Sequence, residues 1–130
     1  MKNEIAVKDA GLLQVIEDRT LGEIIKPLVN EIHLFDTYIA GTSYLPDQSV
    51  LQELQAGDKL HLQREVNKFD DQAIVILNSD NVKLGYVPEK DNTVFSRLMD
   101  AGKLLTARVD SVDRSGSFHK IRIGIYLVDY

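Results

Sequence analysis

The chain has 130 residues, of which 44% are hydrophobic and 27% charged, with no cysteine and a formal net charge of −5. That length suits one domain with one core, and the composition argues against disorder. The lack of cysteine excludes a disulfide framework, a thiolate metal site and a cysteine nucleophile, and the net acidity argues against a protein that coats nucleic acid by bulk electrostatics.

The charge is unevenly spread. Residues 1–56 carry 4 basic and 9 acidic side chains, whereas residues 57–130 carry 11 of each. A local binding face in the second part is compatible with this balance; a large basic field is not. No apolar run approaches the roughly 18 residues that span a bilayer. The segment Met1–Asp9 lacks the apolar stretch of a signal peptide. The expectation is a cytoplasmic protein with no membrane partner. His33, His61 and His119 are scattered, without the short spacings of zinc sites, so no metal or cofactor is expected.

Residues 1–30 read as a short helical or irregular extension. Leu12, Leu13, Val15 and Ile16, then Leu21, Ile24, Ile25 and Leu28, recur at roughly helical spacing. Gly11, Gly22 and Pro27 break any long helix. Packing of this stripe on the chain's own domain is the favoured reading, and a helix that meets a partner is the sharper one.

From Glu31 the period changes to two, and residues 31–130 read as the main domain. Ile32–Ala40 forms a first strand ended by Gly41, and Gln48–Gln55 holds a short helical turn before Ala56-Gly57-Asp58. Lys59–Glu65 alternates cleanly, which points Leu60 and Leu62 inward and His61 outward. Ala73–Leu77 suits a buried strand, although its alternation leaves the face of Ile74 and Ile76 open. The turn Asn78–Asn81 joins it to Val82–Val87 as a hairpin, which Pro88 stops. Asp91 or Asn92 can cap a helix with Val94, Phe95, Leu98 and Met99 on one face, and Gly102 ends it. Two long strands follow, Leu104 to about Val112 and Phe118 to Leu127. In the second, Ile121, Ile123, Ile125 and Leu127 face one way and Lys120 and Arg122 the other. Six strands, one helix between the fourth and fifth, and short turns predict a mainly β fold, a small, partly closed OB-like barrel. Closure relieves the problem of exposed sheet edges.

There is no Gly-rich phosphate loop, nucleophile elbow or His-Glu-x-x-His helix, which argues for a binding module over an enzyme. Asp70 and Asp71 are adjacent, so on an extended chain they point apart rather than share a metal. The informative stretch is the polar loop 63–74, set between two strands. Asn67 and Asp70 suit local bonds to backbone amides that hold the loop in shape. Phe69 either plugs one end of the barrel or offers a stacking platform for a base.

Ala40-Gly41-Thr42-Ser43-Tyr44, Gly57–Glu65, Asn67–Ile74, Gly85-Tyr86-Val87-Pro88 and the helix end Leu98–Lys103, in that order, resemble the HIRAN domain. The match runs from about residue 35 to 112, and the last strand completes it. HIRAN domains occur fused to DNA-remodelling ATPases and nucleases, a DNA-repair setting, and also as standalone bacterial proteins. The resemblance implies an OB-like barrel that binds the 3′-hydroxyl end of single-stranded DNA. On it, Tyr44 stacks on a terminal base, Phe69 stands where a tyrosine commonly does the same, and Asp70 accepts a hydrogen bond from the terminal 3′-hydroxyl. Asn67 braces the loop, and Phe118 adds an aromatic wall. The sequence also departs from the pattern. Ser43 stands where a DNA-binding member can carry arginine, Pro88-Glu89 replaces a basic pair, and Phe69 lacks the tyrosine hydroxyl. Losing phosphate partners in an acidic protein should weaken DNA affinity and its salt dependence. Resemblance therefore favours a DNA-end binder; charge favours a protein-interaction module that docks on a partner or on another copy of itself.

Overall fold

Strand-forming segments of four to ten residues, each broken by a turn or a short helix, build one six-stranded sheet in a computed structural model that describes residues 30–114 and 119–129. In chain order they are β1 (Asn30–Tyr38), a 3-10 turn (Thr42–Tyr44), α1 (Ser49–Gln52), β2 (Lys59–Arg64), β3 (Ile74–Leu77), β4 (Lys83–Tyr86), α2 (Glu89–Asp100), β5 (Leu105–Asp113) and β6 (Lys120–Asp129). The predicted extension over residues 1–30 and the proposed wall residue Phe118 lie outside the described residues, save Asn30 at the start of β1. Among the described residues no helix is long and apolar enough to cross a membrane.

The sheet runs β1-β6-β5-β2-β3-β4, and β2/β3, β2/β5, β3/β4 and β5/β6 pair antiparallel. Its ladder does not run full circle. The two outer strands meet instead through one bridge, where the N–H of Ala40 donates to the Tyr86 carbonyl at 2.8 Å and the N–H of Tyr86 donates back at 2.9 Å. Six strands, one main helix between the fourth and fifth, and a curled, partly closed sheet agree with the predicted mainly β, barrel-like fold.

The alternation in the sequence sets the core. Leu60, Leu84, Val109, Ile121, Ile123 and Ile125 are fully buried or nearly so, while Lys120 and Arg122 face outward. Each buried aliphatic side chain of this kind contributes about 1.5–3 kcal/mol. Ile74 and Ile76 belong to the same core, and Val75 between them is also buried, so β3 is covered on both faces.

The main helix departs from expectation. It starts at Glu89 behind Pro88, not at Asp91 or Asn92, because proline suits the entry to a helix. Asn92, Phe95 and Ser96 are buried and Leu98 and Met99 pack partly against the core, whereas Val94 points to solvent at 62% exposure. Two of the three buried positions are polar, so an apolar-face reading places Phe95, Leu98 and Met99 correctly, misses Asn92 and Ser96, and wrongly includes Val94.

Gly85 decides how the outer strands meet. A β-carbon there would strike the Ala40 carbonyl oxygen and the Ile39 side chain. The backbone of the Ala40 bridge therefore approaches β4 only where no side chain stands. Gly85→Ala should lower stability by about 1–3 kcal/mol through overpacking, measured by chemical denaturation. A neutral result would mean that the bridge is dispensable.

Candidate functional site

Three segments that are distant in sequence border one open cleft of about 470 Å³ at the end of the barrel where the outer strands meet. Ala40 and Gly41 bring in the first. Gly41 adopts φ 77, a left-handed turn, and the following 3-10 turn presents Tyr44 at 89% exposure. Ala73, Val87 and Tyr86 line the cleft as well, and Glu89, the first residue of α2, lines it beside them.

The β2–β3 loop supplies Asn67, Phe69 and Asp70. Its shape is fixed from three sides. Arg64 donates to the carbonyls of Ala73 at 2.6 Å and Asp71 at 2.9 Å, and its guanidinium grips the Asp100 carboxylate with two bonds of 2.9 and 3.2 Å. Within the loop, Asn67 Oδ1 accepts the N–H groups of Phe69 at 2.9 Å and Asp70 at 2.8 Å, an Asx-type turn. From the helix, buried Asn92 donates to Asp70 Oδ2 at 2.8 Å, while Asp70 Oδ1 accepts the N–H of Gln72 at 2.9 Å. The structural role that the sequence suggests for Asn67 and Asp70 is thus real. Phe69 does not plug the barrel; its ring stands 85% exposed at the cleft, with the Lys68 ammonium 5.1 Å from its centre.

Beneath the loop lies a second polar chain. Lys83 donates to the Tyr86 hydroxyl at 2.8 Å, the Tyr86 hydroxyl donates to Glu65 Oε2 at 2.7 Å, and Asn67 Nδ2 donates to the same oxygen at 2.9 Å. The Tyr86 and Asn67 donors, with the Lys83 charge nearby, hold the Glu65 carboxyl below the usual carboxylate range, against the opposing effect of partial burial.

The structure therefore brings Tyr44, Asn67, Phe69 and Asp70 around one cleft. It adds Tyr86 and Glu89 to the lining, and Glu65 and Asn92 behind it, none of which the sequence nominates as site residues. The segment Gly85-Tyr86-Val87-Pro88 carries a family signal but assigns Tyr86 no task. The lysines near the cleft are already engaged: Lys68 with the Phe69 ring, Lys83 with Tyr86, and Lys90 with the Asp91 carboxylate at 2.9 Å.

Comparison with known proteins adds the kinship. No curated protein matches the sequence at a significant level. A crystal structure of a Lactobacillus plantarum protein superposes with a TM-score of 0.71 at 27% identity, covering 78% of this chain and 99% of that one. The crystal structure of the HIRAN domain of human HLTF superposes with a TM-score of 0.62 at 16% identity, covering 77% and 78% of the two chains, a likeness of fold. The HIRAN domain family model matches residues 32–128, from β1 nearly to the end of β6, and the chain belongs to the HIRAN domain family.

Proposed function

We propose that this domain is a non-enzymatic binding module that takes the 3′-hydroxyl end of single-stranded DNA in the cleft between Tyr44 and Phe69. One observation carries the reading: two strongly exposed aromatic rings, from separate segments, border a single cleft that also holds the fixed Asp70 carboxylate. Exposed rings lose apolar contact with nothing and gain it only when something flat lies against them. Stacking of this kind is worth about 1–3 kcal/mol per base and tolerates any sequence, since every base offers a π-face. Asp70 accepts one hydrogen bond at each oxygen from the domain itself, which leaves acceptor capacity for a ligand hydroxyl. A terminal phosphate would instead meet two carboxylates, Asp70 and Glu89. Family membership supports a DNA ligand.

A second reading, a protein-interaction module that docks on a partner or on another copy, draws on a different observation. Ile32, Leu34, Phe35 and Tyr38 on β1 are each more than a third exposed. Self-association that depends on these residues, seen by light scattering, would favour it.

The deciding measurement is a titration with labelled single strands that end in 3′-hydroxyl or 3′-phosphate. The hydroxyl end should bind better, weakly and with a shallow salt dependence. Phe69→Ala should weaken both strands alike, by roughly 5- to 100-fold for one lost stacking contact. Asp70→Ala should erase the preference between the ends. It should also destabilise the fold by about 1–3 kcal/mol, because it leaves the buried Asn92 amide without its acceptor, so its binding is measured well below its melting temperature. Glu89→Gln should tighten both strands by removing a carboxylate from the cleft. Equal binding of 3′-ended strands and blunt duplex would sink the DNA-end reading.

A further inference from the structure

We propose that Glu65 is the positioning residue of the cleft: its Oε2 oxygen joins the Tyr86 hydroxyl to the Asn67 amide, and so fixes the two aromatic rims relative to each other. The role of these rims in binding rests on the function proposed above; the positioning itself does not.

The argument starts from hydrogen-bond direction. Lys83 has only donors, so the bond of 2.8 Å to Tyr86 makes the phenol oxygen an acceptor there. The single phenolic proton is then directed at Glu65 Oε2, 2.7 Å away. Asn67 is constrained in the same way. Its Oδ1 already accepts the N–H groups of Phe69 and Asp70, so its amide nitrogen must be the atom that meets Glu65 at 2.9 Å. Two donors thus converge on one oxygen. An ionised carboxylate satisfies both, and a protonated one would set a donor against donors in one of its two orientations.

Each arm of this junction leads to one rim. Through Tyr86 it reaches β4, whose Tyr86 backbone makes both hydrogen bonds of the Ala40 bridge; Gly41 and the turn bearing Tyr44 follow at once. Through Asn67 it reaches the turn that carries Phe69 and Asp70. The Glu65 backbone is itself anchored, since its N–H donates to the Ala73 carbonyl at 2.9 Å and its carbonyl accepts from Arg64 at 3.3 Å. With the main chain held, the side chain is a short strut between floor and loop. Removing it leaves each rim intact within its own segment but frees their mutual placement.

The test uses the full chain, with amide NMR of the ligand-free protein and titration with a 3′-hydroxyl single strand. Glu65→Leu should shift the amide resonances of Phe69 and Asp70 and weaken strand binding by roughly tenfold or more, as expected for the loss of charge-assisted bonds. Tyr86→Phe should shift the same resonances. The double variant should bind no worse than Glu65→Leu alone, because both changes cut one connection. Glu65→Gln, whose carbonyl oxygen can still accept both donors, should restore most of the wild-type pattern. If Glu65→Leu does not fold, Tyr86→Phe and Glu65→Gln carry the test.

Acidification supplies a separate readout. The groups that face the carboxyl are Tyr86 and Lys83 from β4 and Asn67 from the loop, with Arg64 on the backbone side. They lower its folded-state value, so the stabilisation it gives is present above the ordinary value of 4.5 and is lost as pH falls through the lower folded value. The Glu65 side-chain resonance should therefore titrate below the ordinary glutamate value in the wild type, and at a higher pH in Tyr86→Phe, which loses the largest of the lowering contacts. Unmoved Phe69 and Asp70 amides in Glu65→Leu, or additive binding losses in the double variant, would overturn the proposal. Should the wild type bind no strand at all, the functional reading fails alone, and the amide shifts still decide the role of Glu65.

Discussion

The cleft depends on how one polar loop is held. The β2–β3 connection carries an aromatic ring into solvent, and a loop of this length loses considerable conformational entropy when it is fixed, of order 1–2 kcal/mol per residue in the backbone alone. No apolar burial at Phe69 offsets that loss. Hydrogen bonds do so: Arg64 ties the two ends of the loop and the end of α2, Asn67 closes its tip, and Asp70 is held by Asn92. The Asp70–Asn92 bond matters most, because Asn92 is 2% exposed and out of reach of bulk solvent. A buried amide without its partner would cost about 1–3 kcal/mol, so the loop is locked onto the helix by a penalty for leaving it as well as by the bond itself.

On the proposed function, that arrangement would give Asp70 two tasks. It anchors the loop and it is the fixed acceptor in the cleft. The two are compatible because a carboxylate accepts several hydrogen bonds, and the internal donors occupy one site on each oxygen. The consequence is preorganisation: a ligand hydroxyl would meet an acceptor whose rotamer is already set, so less ordering remains to oppose binding. Tyr44 is anchored differently, by a left-handed glycine, the Ala40 bridge and the Gln48 side chain, which donates to the carbonyls of Thr42 and Leu45. The turns that carry the two aromatics are thus held by separate contacts, and Glu65 and Tyr86 relate one to the other.

Much of the fold is legible in the residues because sheet burial follows a period of two. The isoleucines at 121 and 123 and the leucine at 60 alternate with charged or polar neighbours, and each is buried where the pattern puts it. The helix was harder, since two of its inward positions are Asn92 and Ser96, and polar residues face inward only when the tertiary structure supplies partners. The same limit governs the site. Asn67, Phe69 and Asp70 are neighbours in sequence and can be read as a loop with a purpose. The Tyr86–Glu65 bond joins residues 21 apart, and the Asn92–Asp70 bond joins residues 22 apart. Strand register and helix phase decide such pairs, and neither is written in local composition.

The electrostatics of the cleft bear on what kind of ligand it suits. Asp70 and Glu89 both border it, while Lys68, Lys83 and Lys90 each lean on a partner within the domain. Each phosphate neutralised on a single strand adds about 0.7 to the slope of log affinity against log salt, so a cleft whose described lining holds no lysine or arginine implies a small slope and little gain from counterion release. Affinity for a strand would then rest on stacking, at about 1–3 kcal/mol per base, against an association cost of at least about 4 kcal/mol. Such a balance gives weak binding, yet it need not give weak selectivity. Specificity is a difference between two ligands, and a term common to both cancels. Carboxylates at the cleft oppose the phosphodiesters of every strand alike. They oppose a terminal phosphate additionally, because its charge would sit where a hydroxyl proton otherwise reaches Asp70. On the proposed function, the acidity that would lower affinity is therefore the same feature that would separate a free end from a blocked one.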